Sequence, residues 1–152
     1  MPRHTKASKQ KGTLIINVFD IVKWRLDNSE IRAELNHHWE AAVSLDIDGV
    51  HDIYHDDVIV EFLQSGERIS GKHYIYEFRK HYPAKLEFKI LRMRGEGSFW
   101  VTEYIVTYNG KRSVNVVNIM EFRDGKVARE TLYFADPFEP PEWRSQWVER
   151  MG

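Results

Sequence analysis

The chain contains no cysteine, which removes disulfides, thiolate metal sites and a cysteine nucleophile from consideration and fits a reducing compartment such as the cytoplasm. Long apolar runs are missing too. Leu14 to Ile16 is typical of those present, and Asp20 and Lys23 interrupt the next segment, far short of the roughly 20 apolar residues of a membrane helix. No membrane partner is therefore expected. Nor is one sign of charge in excess: 22 Lys and Arg against 23 Asp and Glu leave a formal net charge of −1, so no global field draws the protein to nucleic acid. Internal repeats are absent, which sets aside solenoids and propellers. What remains is 152 residues, enough for one domain to bury its own core without staples.

Charge and proline are unevenly spread. Residues 1–28 hold six basic residues (Arg3, Lys6, Lys9, Lys11, Lys23, Arg25) against Asp20 and Asp27, so a basic N-terminal extension precedes an acidic body. The extension lacks the apolar core and cleavage site of a signal peptide and reads as a loosely docked or disordered terminus. Three proline residues, Pro137, Pro140 and Pro141, open a stiff tail that ends in a turn presenting Trp143 and Trp147. The expected organisation is an extension over 1–28, a body over 29–136 and a Pro/Trp-rich tail over 137–152.

Within the body, Ser29 opens a helix whose apolar side reads Ile31, Leu35, Trp39 or His38, Ala42 and Leu45. Asp46 to Gly49 breaks it, and Val50, Ile53 and Tyr54 predict a short second helix ending near His55. Alternation over Val58, Val60 and Phe62 predicts a strand, closed by Ser65-Gly66. A third helix carries Ile75, Phe78 and Tyr82 and stops at Pro83. Leu86 to Met93 is a strand, and Asn109-Gly110 and Asp124-Gly125 stitch the runs 98–108, 111–123 and 126–135 into a meander, because such pairs accept the positive φ of tight hairpin turns. Helices followed by antiparallel strands must bury one sheet face. The predicted fold is α+β, a cone-shaped, strongly curved, mostly antiparallel sheet wrapped around three N-terminal helices, with an open mouth suited to a hydrophobic small molecule.

The wording Trp39-Glu40-Ala41-Ala42 running into Asp46-Ile47-Asp48-Gly49, then Ile53-Tyr54-His55-Asp56-Asp57, the Gly66 to Gly71 turn and Glu121-Phe122-Arg123-Asp124-Gly125-Lys126-Val127 resembles the nuclear transport factor 2-like superfamily. Within it the chain is similar to SnoaL-like polyketide cyclases and ketosteroid isomerases, over Ser29 to about Asp136. The resemblance implies a cofactor-free isomerase, cyclase or dehydratase that moves protons with an acidic residue and a histidine. Most of the steroid-isomerase site does not carry over: Phe62 stands where that site has its base, His38 where it has a tyrosine, and Met120, or Glu121 on a one-residue slip, where it has an acid.

Strand parity anchored on this resemblance turns Trp100, Thr102, Tyr104 and Val106 inward, with Val116, Asn118 and Met120, then Glu130, Leu132 and Phe134. Glu130 is the one carboxylate of that set and the expected catalytic group, since burial raises a carboxyl's pKa toward the range useful for proton transfer. The alternative is a register off by one, with Glu130 paired to Arg123 on the surface. His38 is its expected partner acid, against the plainer reading of a histidine bordering the core. Asn118 is a candidate donor to a ligand carbonyl. Trp39, Tyr54, Phe62, Trp100, Tyr104, Met120 and Phe134 complete the expected pocket. His51 and His55 have an i, i+4 spacing found in metalloprotease helices, but no third ligand accompanies them, so neither metal nor cofactor is expected. Apolar residues on both faces of the meander, such as Val101, Ile105, Val117 and Ile119, predict a homodimer through the outer face. Two classes of function stay open: a proton-transfer enzyme, or a non-catalytic binding or dimerisation module.

Overall fold

A computed structural model describes residues 27–152; the expectations for the basic extension lie outside them. Helix α1 spans Asn28–Ser44 and is capped one step earlier than Ser29 suggests. Asp27 accepts from the Ser29 N–H and its own N–H donates to Glu30, a reciprocal box that satisfies two orphan donors. Ile31, Leu35, His38, Trp39, Ala41 and Ala42 are buried, whereas Leu45 is the left-handed C-cap (φ 59°) and is half-exposed. Asp46 caps α2 (Ile47–His51) by accepting from the Gly49 N–H at 3.1 Å.

The second helix ends earlier than its apolar residues predict, and Tyr54 begins strand β1 (Tyr54–Phe62). The cause lies in the sheet, where Val127 donates its N–H to the Ile53 carbonyl at 2.9 Å and pairs with Tyr54. A register shift between Tyr54 and Ile59 lets the strand bend there. Strand β2 (Glu67–Ser70), which the sequence did not announce, folds back on β1 across Gly66 (φ 72°). Helix α3 (Lys72–Lys80) comes next, then β3 (Leu86–Glu96), β4 (Phe99–Tyr108), β5 (Arg112–Arg123) and β6 (Lys126–Ala135).

The order across the sheet is β2-β1-β6-β5-β4-β3. All neighbours are antiparallel except β1 and β6, which run parallel, so the sheet is mixed and open rather than a closed barrel. Both hairpin turns form as predicted, with Asn109 and Gly110 at φ 53° and 66°, and Asp124 and Gly125 at 49° and 78°. The inner face packs on the helices. Trp100, Tyr54, Leu35, Ile53, Met120 and His38 are the most enclosed large residues of the core. Trp100 sits at the closed end, its indole N–H donating to the Gly97 carbonyl at 2.9 Å. After Asp136 the chain extends into a 3-10 helix, Glu142–Trp147.

Candidate functional site

The other end of the cone is open. A cavity of about 700 Å³ runs between the inner sheet face and the helices, walled by Trp39, Phe62, Phe78, Phe88, Leu132 and Phe134 among others. Gln64, Ser65, Glu67, Lys85 and Asp136 bring polar groups to the same cavity. On its apolar wall lie His38, Arg79, Tyr104 and Glu130.

Glu130 is where alternation places it: inward on β6, opposite Met120 on β5 and Val60 on β1, and 2% exposed. Surface pairing with Arg123 does not occur, since Arg123 binds Asp57 at 2.6 Å. The Tyr54 hydroxyl donates to Glu130 Oε2 at 2.6 Å, and the Asn118 amide donates to Oε1. Both oxygens therefore accept, as a carboxylate's do, with lone pairs left for a ligand. Behind Tyr54 stands Arg79, whose Nη2 donates to the Tyr54 hydroxyl at 2.6 Å while its guanidinium lies 5.0 Å from that ring's centre. Arg79, Tyr54 and Glu130 form a relay in which opposite charges are linked through one phenol. Burial pushes the Tyr54 phenol well above its usual range, a shift opposed by the charge of Arg79 and reinforced by that of Glu130. It stays a donor.

Tyr104 borders the cavity with its phenol likewise raised, by burial first and then by the Glu130 charge, so it too remains a protonated donor. Trp39 is fixed by a 3.1 Å bond from its indole N–H to Thr102 Oγ1. His38 is buried at 2% exposure, and its Nδ1 donates to the Val50 carbonyl at 2.9 Å. Burial, with the charge of Arg79, lowers its pKa to about 3. The expected partner acid is thus a neutral imidazole with no proton to give at ordinary pH; with Nδ1 carrying the hydrogen, Nε2 is left a lone pair.

Other expectations divide. Trp39, Phe62, Tyr104 and Phe134 wall the cavity. Trp100 and Met120 are 1% exposed and are packed into the core rather than lining the cavity. Asn118, also 1% exposed, spends its amide on Glu130 rather than on a ligand, and its Oδ1 has no partner among the described residues. Tyr54 lies behind Glu130. His51 and His55 fall on different elements: the first ends α2 and packs on Tyr76, the second lies in β1 and bonds the Arg123 carbonyl. Arg79 went unread in the sequence. Its signal was position, one helical turn after buried Ile75, which puts both on the inward side of α3.

A family model described as SnoaL-like domain matches residues 35–130, from the middle of α1 to Glu130 itself. The chain belongs to the SnoaL-like domain family. Among solved structures, this SnoaL-like protein is similar to a nuclear transport factor 2-like protein of unknown function from Burkholderia xenovorans LB400, at 52% identity over 82% of this chain and 97% of that one, with a TM-score of 0.76. A protein from Kribbella flavida, provisionally assigned as a ketosteroid isomerase, is 25% identical over 82% of this chain and 91% of its own, with a TM-score of 0.75. An epoxide hydrolase from M. tuberculosis shares the fold at a TM-score of 0.58 and 23% identity, over 70% of this chain and 83% of that one. No curated protein matches the chain. The SnoaL-like scaffold is therefore secure, while its relatives span more than one chemistry.

Proposed function

We propose that this SnoaL-like protein binds a hydrophobic, carbonyl-bearing small molecule in the cone and transfers a proton on it without a cofactor, with Glu130 as the base. The observation that carries this reading is one buried carboxylate, held by two donors, on the wall of a largely apolar cavity of about 700 Å³. Pockets of this size and character suit small molecules. A base needs a lone pair aimed at an acidic C–H, and the resulting enolate oxygen needs donors. Glu130 supplies the first. Tyr104 and Arg79, on the same cavity wall, supply donors that stay protonated. Returning the proton from Glu130 to another carbon gives isomerisation; giving it to a departing β-hydroxyl, which leaves as water, gives dehydration; attack of the enolate carbon on a second carbonyl, with the proton returned to the new alkoxide, gives cyclisation. His38, neutral, serves as an acceptor that orients the ligand. The protein acts as a homodimer through the outer sheet face, where Phe99 and Tyr133 are half-exposed.

The test begins with a thermal-shift screen against steroids, aromatic polyketides and terpenoids, because a ligand that binds only the folded state raises stability by RT ln(1 + [L]/Kd), about 2.7 kcal/mol at a hundredfold excess over Kd. On any hit, Glu130→Gln keeps binding and loses turnover. Full turnover in that variant rejects Glu130 as the base. A binding protein without turnover would favour the non-catalytic module, and collapse of the variant's fold would make Glu130 a structural partner of Arg79.

A further inference from the structure

Four polar groups share the apolar wall of the cavity, two that give hydrogen bonds and two that take them. Arg79 and Tyr104 are the donors, and Glu130 and neutral His38 the acceptors. Among the described residues, the sealed side-chain nitrogens and oxygens left with no partner are His51 Nδ1, Arg79 Nη1 and Asn118 Oδ1. His38 Nε2 is not one of them, although the one hydrogen bond described for this ring is made by Nδ1. The nitrogen therefore keeps a little surface of its own, and the open space that His38 borders is the cavity.

The ring is held so that it cannot turn away. Nδ1 is fixed on the Val50 carbonyl at 2.9 Å, and the ring packs at 76° and 89° against Trp39 and Tyr54, their centroids 4.6 and 5.9 Å away. A lone pair fixed in this way is preorganised for a donor. A plain ketone has none to offer. It answers Arg79 and Tyr104 and turns its acidic C–H to Glu130, but on entering it displaces water from Nε2 without replacing the hydrogen bond, which weakens binding. An ammonium ion fits no better, because it would set a second positive charge near Arg79, whose counter-charge Glu130 is already linked to it through Tyr54. We propose that the ligand carries a hydroxyl group besides its carbonyl and that His38 Nε2 accepts from it, so that His38 selects among carbonyl compounds. With its hydrogen on Nδ1, the imidazole cannot protonate the hydroxyl it accepts from, so that hydroxyl stays on the product. The inference rests on the cavity being a small-molecule site, not on Glu130 being the base.

Matched pairs of compounds test it: hydroxytetralones against tetralone, and the hydroxylated against the deoxy member of each steroid, polyketide or terpenoid skeleton that raises the melting temperature. Titration calorimetry gives the Kd of each. In at least one skeleton, a hydroxyl isomer should bind the parent protein at least roughly tenfold more tightly than its deoxy counterpart, since a site with a buried polar group rejects the analogue that leaves it unpaired. His38→Asn puts an amide N–H where Nδ1 stood and nothing where Nε2 stood. The preference should then fall to about twofold or less, whatever happens to the affinity for the deoxy compound. A second measurement needs no variant: in protein labelled with nitrogen-15 histidine, the preferred compound should move the Nε2 resonance upfield, as accepting a hydrogen bond does, and its deoxy counterpart should not. Three results overturn the inference while leaving the role of Glu130 standing: deoxy compounds that bind as tightly as their hydroxylated partners, a preference that survives in His38→Asn, or an Nε2 resonance that the hydroxylated ligand leaves in place. If no compound binds at all, the small-molecule reading falls and this inference falls with it.

Discussion

Tyr54 is the one hydroxyl between two opposite charges, and removing it should show how much the site depends on the link. Tyr54→Phe keeps the ring beneath Arg79 but leaves Glu130 Oε2 without its donor and Arg79 Nη2 without its acceptor. Stranding polar groups in a low-dielectric interior costs about 1–3 kcal/mol each. Urea denaturation should therefore find the variant less stable by about 2–4 kcal/mol; a loss below half a kilocalorie would show that water replaces the hydroxyl without strain. Glu130 was readable from sequence because alternation along β6 leaves only two choices, and the family resemblance decides between them. Its partners were not readable. Arg79 is the residue type that normally faces water on a helix, and Tyr54 looked helical because the β1 and β6 pairing that claims it joins residues far apart in the chain.

Among the elements, glycine separates conformation from space. Gly110 sits in the β4 to β5 turn at φ 66° with nothing within 4 Å of an added Cβ, so Gly110→Ala is penalised only by the left-handed backbone, about 1–2 kcal/mol. Gly95, in β3, has no such φ, but an added Cβ would lie 2.5 Å from Trp100 Cδ2 and closer still to the Phe99 carbonyl. Backbone cannot retreat cheaply, so Gly95→Ala should cost more than Gly110→Ala, at or above the ~3 kcal/mol end of ordinary overpacking. Paired thermal melts check the order, and equal losses would mean that the closed end of the cone yields. The same contrast explains which elements the sequence revealed. Asn-Gly and Asp-Gly are local devices, so the meander could be placed to within a residue or two. Strand β2 has four residues, too few for alternation to register, and one partner contributed by its neighbour β1.

For the molecule as a whole, His38 ties stability to pH. Unfolded, its imidazole takes up a proton near pH 6.5; folded, it resists until about pH 3, because burial and the nearby Arg79 disfavour the charged ring. Between those values the unfolded chain binds more protons, so stability rises with pH, is complete above about 6.5 and drains away as pH falls toward 3. The upper part of the window is diagnostic, since carboxylates titrate mostly below it. Between pH 7 and pH 5 this one group should remove roughly 2 kcal/mol, read as a falling urea midpoint with an unchanged slope. His51, shifted the same way by burial and by Lys72 and Arg79, adds a smaller loss of the same sign. His38→Gln keeps an amide donor for the Val50 carbonyl while removing the titration. It should flatten most of the profile above pH 5. If the parent and the variant lose stability in parallel over that range, the sensitivity lies elsewhere, and His38 is not the neutral, buried imidazole that its bond to Val50 describes.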